Sequence, residues 1–173
     1  FWALEKSLAY ARHYPAISWT ASYSEYDGDL AHYYEENVHP DFMKLRGEFI
    51  TILHEETALM EIVKLIGSDV LPDEQKLIIE IARVIRVGFL QQNAYHSDDT
   101  YVPLLKQYKM MEVILRLYNK GKMMISKGAP ISKLIDTGLF ESLVKIKYDV
   151  PNNKLEMLDE YLTRIDEAVE TLI

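Results

Sequence analysis

Residues 41–67 read DFMKLRGEFITILHEETALMEIVKLIG. Phe42, Leu45, Phe49, Ile52, Leu53, Leu59, Ile62, Val63 and Ile66 recur at the three-and-four spacing of a single helix face. Gly67 supplies the stop, because a residue without Cβ takes up the left-handed conformation that closes a helix at least cost. The stretch therefore predicts one long amphipathic helix, which needs apolar neighbours on one side.

The flanks supply them in the same period. Pro72 suits the first turn of a following helix, whose face is Leu77, Ile81, Val84, Ile85 and Phe89. Pro103 opens another, with Leu104, Tyr108, Met111, Ile114, Leu115 and Tyr118, ending near Gly128. Shorter helices are expected over 131–136 and 140–146, and Leu155, Leu158, Leu162, Ile165, Val169 and Leu172 mark a last one. Upstream, Leu30, Tyr33, Tyr34 and Val38 form a helix stopped by His39-Pro40. Phe1, Leu4, Leu8 and Ala11 place a short one over 2–12, ending before Pro15. Residues 13–24 have no period and read as a packed loop. No period-two run and no internal repeat occurs. The expected fold is an all-α bundle, a single domain over 1–173.

Composition narrows the function. The 173 residues carry 19 Lys and Arg against 27 Asp and Glu, a net charge of −8. That sign argues against a nucleic-acid partner, which selects for a basic face. There is no Cys, which excludes disulfides, thiolate zinc sites and cysteine nucleophiles. Apolar runs such as Leu77-Ile78-Ile79 fall far short of a bilayer span. The chain opens on Phe1 with no basic-then-apolar leader, and is expected to be a piece of a longer one.

Chemistry is sparse inside it. His54-Glu55-Glu56 begins like a zinc-binding HExxH, but position 58 is Ala; a solvated helix face is the better account. His13, His32, His39 and His96 have no partners at a ligand spacing. No GxSxG, GxGxxG or GxxxxGK[ST] is present, so nothing here cradles phosphate. On these residues alone the chain is a helical domain without visible catalysis, and a free-standing scaffold or interaction module stands as an alternative.

Several segments carry more information than periodicity. Phe1-Trp2-Ala3-Leu4, then Arg12-His13-Tyr14-Pro15-Ala16-Ile17-Ser18-Trp19, Glu61-Ile62-Val63-Lys64-Leu65-Ile66-Gly67, Phe89-Leu90-Gln91-Gln92-Asn93-Ala94-Tyr95-His96 and Asp99-Thr100-Tyr101 follow one another in order. Apolar patterning would never demand Gln-Gln-Asn-Ala. Over residues 1 to about 127 the sequence resembles the C-terminal domain of the catalytic A subunit of archaeal (A-type) ATP synthases and vacuolar ATPases. Glu5, Ala11 and Gly88 depart from the usual pattern. Because a helix-interior Gly costs roughly 1 kcal/mol relative to Ala, Gly88 predicts a locally loose segment.

The resemblance implies a rotary-motor subunit whose β-barrel and nucleotide-binding α/β domain precede this one, with residues 1–24 at the junction. The phosphate loop and the Mg²⁺ ligands would lie in the preceding part, so no catalytic residue is expected here. ATP or ADP with Mg²⁺, three alternating non-catalytic B subunits and the central stalk are the implied ligands and partners. The complex would be peripheral on the cytoplasmic face of the membrane, touching it only through the ion-translocating sector. Two sites are implied. Tyr14 would lay its ring on adenine, with Gln92, Ala94 and Tyr95 as a second wall. The turn Gly67, Ser68, Asp69, Val70, Leu71, Pro72, Asp73 and Glu74 would meet the rotor, in the place of the DELSEED turn of the related beta subunit. Flat apolar faces and few charges suit adenine, and stacking on one aromatic contributes roughly 1–3 kcal/mol by analogy with base stacking. The plainer reading takes the turn as a capped connection and Tyr14 and Tyr95 as packed aromatics.

Overall fold

The computed structural model describes all residues from Phe1 to Ile173 and is built of helices. In chain order these are α1 (Lys6–Tyr10), α2 (Asp27–Asn37), α3 (Phe42–Ile66), α4 (Asp73–Val84), a π-helical segment (Ile85–Leu90), α5 (Ser97–Thr100), α6 (Leu104–Ser126), α7 (Ile131–Asp136), α8 (Leu139–Val144), α9 (Ile146–Asp149) and α10 (Met157–Glu170). The all-α expectation holds. The only strand-like feature is an isolated antiparallel bridge between Leu4 and Ile17.

The middle of the bundle is α6. Val113, Ile114 and Leu115 are buried in succession, which requires neighbours around most of the helix; α10, α4 and α3 provide them. Burying each such side chain stabilises by about 1.5–3 kcal/mol. The long helix read from residues 41–67 is α3, buried along Phe42, Phe49, Ile52, Leu53 and Leu59. Gly67 stops it at φ +84°. Pro72 stands at the N-cap of α4, with Asp73 and Glu74 in the first turn, where carboxylates favour the helix dipole.

Four details differ from the sequence reading. Only Lys6–Tyr10 is helical near the start, because the residues before it pair with the far side of Pro15. The Glu5 amide donates to the Ala16 carbonyl at 2.9 Å and the Ser18 amide to Ala3 at 2.8 Å. Residues 140–146 do not form one helix; the chain breaks at Lys145 between α8 and α9. Glu56 does not lie on a solvated face: it is buried and ion-pairs with Arg86 of the π-helical segment, while its neighbours His54 and Glu55 are exposed.

Gly88 is the fourth. It is buried, and a Cβ built on it would stand 2.8 Å from the Leu143 carbonyl oxygen and 3.1 Å from Val144 Cα. The absent side chain lets the backbone of α8 pack directly on the π-helical segment. This glycine marks a close approach, not a loose segment.

Candidate functional site

Tyr14 is positioned by the end of α1. The His13 amide donates to the Leu8 carbonyl at 2.9 Å and the Arg12 amide to Ala9 at 3.0 Å. These are the two reciprocal bonds of a Schellman closure. Arg12 occupies its left-handed position at φ +56°, a conformation that costs a residue with Cβ roughly 1–2 kcal/mol. The closure reverses the chain. It buries His13 against Trp19, ring centroids 5.4 Å apart, and sends the next side chain outward, so the Tyr14 ring is 55% exposed. Burial, reinforced by the positive charges of Arg86 and Lys147, holds the His13 imidazole below its ordinary pKa of 6.5.

Gln92, Ala94 and Tyr95, expected as a second wall, follow directly on the π-helical segment. Its last bond, from the Gln91 amide to the Arg86 carbonyl at 2.9 Å, spans five residues, and Gln91 then turns extended. The next amide, that of Gln92, donates to the Tyr14 carbonyl at 2.7 Å. Gln91 Nε2 also reaches the Arg12 carbonyl at 3.4 Å. Two segments 78 positions apart are thereby stitched together by backbone.

Beyond Gln92 the loop is held from below. The Asn93 amide donates to Asp99 Oδ2 at 2.6 Å, Asn93 Oδ1 accepts from the Tyr95 amide at 3.0 Å, and the Thr100 hydroxyl donates to the Ala94 carbonyl at 2.9 Å. His96 Nδ1 accepts the Asp98 amide at the start of α5. The Asn152 amide donates to Asp98 Oδ1 at 3.0 Å and so holds that carboxyl below the usual carboxylate range. With its backbone fixed in this way, the loop leaves Ala94 exposed and Tyr95 99% exposed. Neither Tyr14 nor Tyr95 packs its ring into this bundle.

The turn between α3 and α4 divides into two parts. Leu71 is buried and Asp73 Oδ2 accepts the Ile131 amide at 3.0 Å, closing the start of α7. These two residues tie the turn to the bundle. Gly67, Ser68, Asp69, Val70, Pro72 and Glu74 are exposed. Leu65, Ile66 and Val70 present apolar side chains beside them. A single rod, α4 followed by the π-helical segment, runs from this turn to Gln91. The Glu56–Arg86 pair fastens the far end of the rod to α3.

One cavity touches neither Tyr14 nor the 67–74 turn. It is an apolar groove of about 410 Å³ among Phe1, Trp2, Trp19, Phe42 and Phe49. A smaller one, about 190 Å³, sits under the loop and is lined by Gln92, Asp99, Gln107 and Lys147. No three His, Asp or Glu side chains converge to hold a metal ion. No helix is long and apolar enough to cross a membrane.

Lys106 and Lys147 carry no signal in the sequence, where they read as surface charge. Arg12 opens a segment that carries the resemblance, but it stands where a glycine would have announced the closure. Asp99 lay within a segment that carried the resemblance, with no role attached.

Residues 31–135 match the family described as the C-terminal domain of V and A type ATP synthase. A helical bundle with this match falls in that class. The whole chain is 49% identical to "V-type ATP synthase alpha chain 2" of Clostridium tetani, and 99% of it is covered at 47% identity by the "V-type ATP synthase alpha chain" of Halothermothrix orenii. It is 41% identical along its full length to the A subunit of the A-type ATP synthase of Methanopyrus kandleri. The chain belongs to this family, the C-terminal domain of the V/A-type ATP synthase alpha chain. It spans 29% of the length of each of these three relatives.

Proposed function

We propose that this chain is the helical end of the catalytic subunit of a rotary ATPase, where it completes the adenine pocket and meets the central stalk. The observation that carries the adenine reading is the Gln92–Tyr14 backbone bond. It joins the two segments that the family resemblance assigns to the pocket, while the Tyr14 and Tyr95 rings stay free on the surface. A ring held by its backbone and left bare is prepared to stack on a flat base, because little ordering remains to be done on binding.

In this reading Tyr14 covers one face of adenine. Ala94 leaves room at the edge, and Tyr95 and Gln92 close the second wall. Residues 1–24 form the junction with the preceding nucleotide-binding domain, which supplies the phosphate loop and the Mg²⁺ ligands; no step of phosphoryl transfer runs through residues of this chain. The exposed part of the 67–74 turn meets the stalk, and the rod of α4 and the π-helical segment carries displacement between stalk and pocket. The non-catalytic B subunits alternate with the catalytic ones. ATP and ADP are the ligands, and a proton or sodium ion is translocated by a separate membrane sector. The catalytic head then sits at the cytoplasmic face, touching the membrane only through that sector.

The test is Tyr14→Ala in the full-length protein, assembled with its partners. Loss of about 1.4 kcal/mol of stacking raises the Michaelis constant for ATP about tenfold. Turnover at saturating ATP falls less, because stacking is felt equally in the ground and transition states. An unchanged Michaelis constant removes Tyr14 from the pocket.

A further inference from the structure

Three charged side chains lie in the interior beneath the 91–96 loop. Lys106 is 0% exposed, Lys147 1% and Asp99 1%. Buried charges are kept only where partners compensate the lost hydration, so what each one holds is informative.

Lys106 is saturated. Its Nζ donates to the Lys147 carbonyl at 3.0 Å, the Val150 carbonyl at 2.7 Å and Asn152 Oδ1 at 2.9 Å, the full complement of an ammonium group. It fastens the end of α9 and the residues after it. Lys147 is not saturated. Its Nζ stands 3.2 Å from Asp99 Oδ2 and 5.1 Å from the centre of the Tyr148 ring, and no acceptor meets its protons in hydrogen-bond geometry. Lys147 lines the 190 Å³ cavity together with Gln92. The same Asp99 Oδ2 accepts the Asn93 amide at 2.6 Å. One carboxylate oxygen thus serves a loop amide from above and a buried ammonium from below.

We propose that Lys147, acting through Asp99 and the Asn93 amide, is a positioning residue that sets the height of the Gln92–Tyr95 wall and hence the affinity for the nucleotide base. This rests on the adenine-pocket reading. Lys147 touches no nucleotide. Its ammonium holds the Asp99 carboxylate from one side, Nζ to Oδ2 3.2 Å, and so fixes the oxygen that accepts the Asn93 amide at 2.6 Å. Without the ammonium, Asp99 is left as an uncompensated buried charge. It then turns toward solvent, and the acceptor that held the loop amide moves away with it.

The experiment compares Lys147→Met, Lys147→Arg and Asp99→Asn with Tyr14→Ala in the full-length protein, assembled with its partners. It reads the Michaelis constants for ATP and GTP, turnover at saturation, and amide hydrogen exchange over 92–96. Lys147→Met raises the Michaelis constant for ATP about fivefold or more, with a smaller fall in turnover, and narrows the preference for ATP over GTP. Amide protection over 92–96 drops with it. Lys147→Arg, whose guanidinium has the adjoining cavity to enter, restores most of the affinity. Asp99→Asn, nearly isosteric, reproduces the loss and replaces Lys147→Met should that variant fail to assemble. If Tyr14→Ala raises the Michaelis constant while the Lys147 and Asp99 variants do not, the positioning role falls and the pocket reading stands. If none of the four variants moves it, the pocket reading itself falls and takes this proposal with it. Equal losses in Lys147→Met and Lys147→Arg also overturn the role assigned to the charge.

Discussion

Gly88→Ala separates two views of the π-helical segment that leads into Gln91 and Gln92. If Gly88 were simply a poor helix residue, alanine would stabilise the protein by about 1 kcal/mol through helix propensity. The packing predicts the opposite sign. The new methyl would lie 2.8 Å from the Leu143 carbonyl oxygen, 3.1 Å from Val144 Cα and 3.4 Å from the Val144 carbonyl oxygen. All three are backbone atoms of α8, a helix pinned by Leu139, Phe140 and Leu143, each at most 2% exposed. Neither element can yield without moving others, and overpacking of this kind costs about 1–3 kcal/mol. Set against the propensity gain, this leaves a net destabilisation of up to about 2 kcal/mol. At that upper value Tm of a chain of this size falls by about 4–8 °C.

Gly121→Ala is the control. Its methyl would meet only the ends of the Leu77 and Leu134 side chains, at 2.9–3.1 Å. Those can turn aside, so propensity and crowding nearly cancel. Urea unfolding followed by circular dichroism in the helical band gives both values, with an unchanged slope showing that only stability has moved. The reasoning is refuted if Gly88→Ala is as stable as the parent, or no less stable than Gly121→Ala.

Other outcomes follow from the same geometry. Asp69→Ser combined with Val70→Ser alters only the exposed part of the turn and spares Leu71 and Asp73. Since exposed charges contribute about 0–1 kcal/mol, Tm of the isolated chain stays within a few degrees while torque in the assembled motor falls; undiminished torque takes the turn out of coupling. The His13 imidazole is held below its ordinary pKa of 6.5, chiefly by burial, so the unfolded chain takes up its proton first as pH falls. The stability His13 contributes is complete above pH 6.5 and is lost as pH drops through the lowered folded value. Tm between about pH 7.5 and about pH 5 therefore falls more steeply in the parent than in His13→Gln, and equal slopes would contradict this. The 173-residue chain by itself releases no phosphate from Mg²⁺-ATP, and sustained turnover in pure material would show that a catalytic centre has been missed.

Much of the architecture is legible in the sequence because it is enforced locally. The apolar stripe of α3, the stop at Gly67 and the starts at Pro72 and Pro103 follow from periodicity and from the restricted backbones of glycine and proline. These hold whatever the helices pack against. The segments around Tyr14 and Gln92 are also recognisable, through residues that packing does not require. The linear chain does not show that the Gln92 amide bonds to the Tyr14 carbonyl, since a contact across 78 positions has no local cause.

What only the tertiary structure decides are the features whose cause lies in another element. Gly88 reads as a weakness in a lone helix and becomes a necessity once the α8 backbone lies against it. Glu56 reads as one of three polar residues on a wet face, and the π-helical segment turns Arg86 down onto it. Lys106, Lys147 and Asp99 are ordinary surface residues by type, and their burial depends on where α6, α9 and the 91–102 segment meet. Local propensity acts through neighbours three or four residues away and is written in the sequence. Desolvation and steric exclusion act through neighbours in space, and they exist only after the chain has folded.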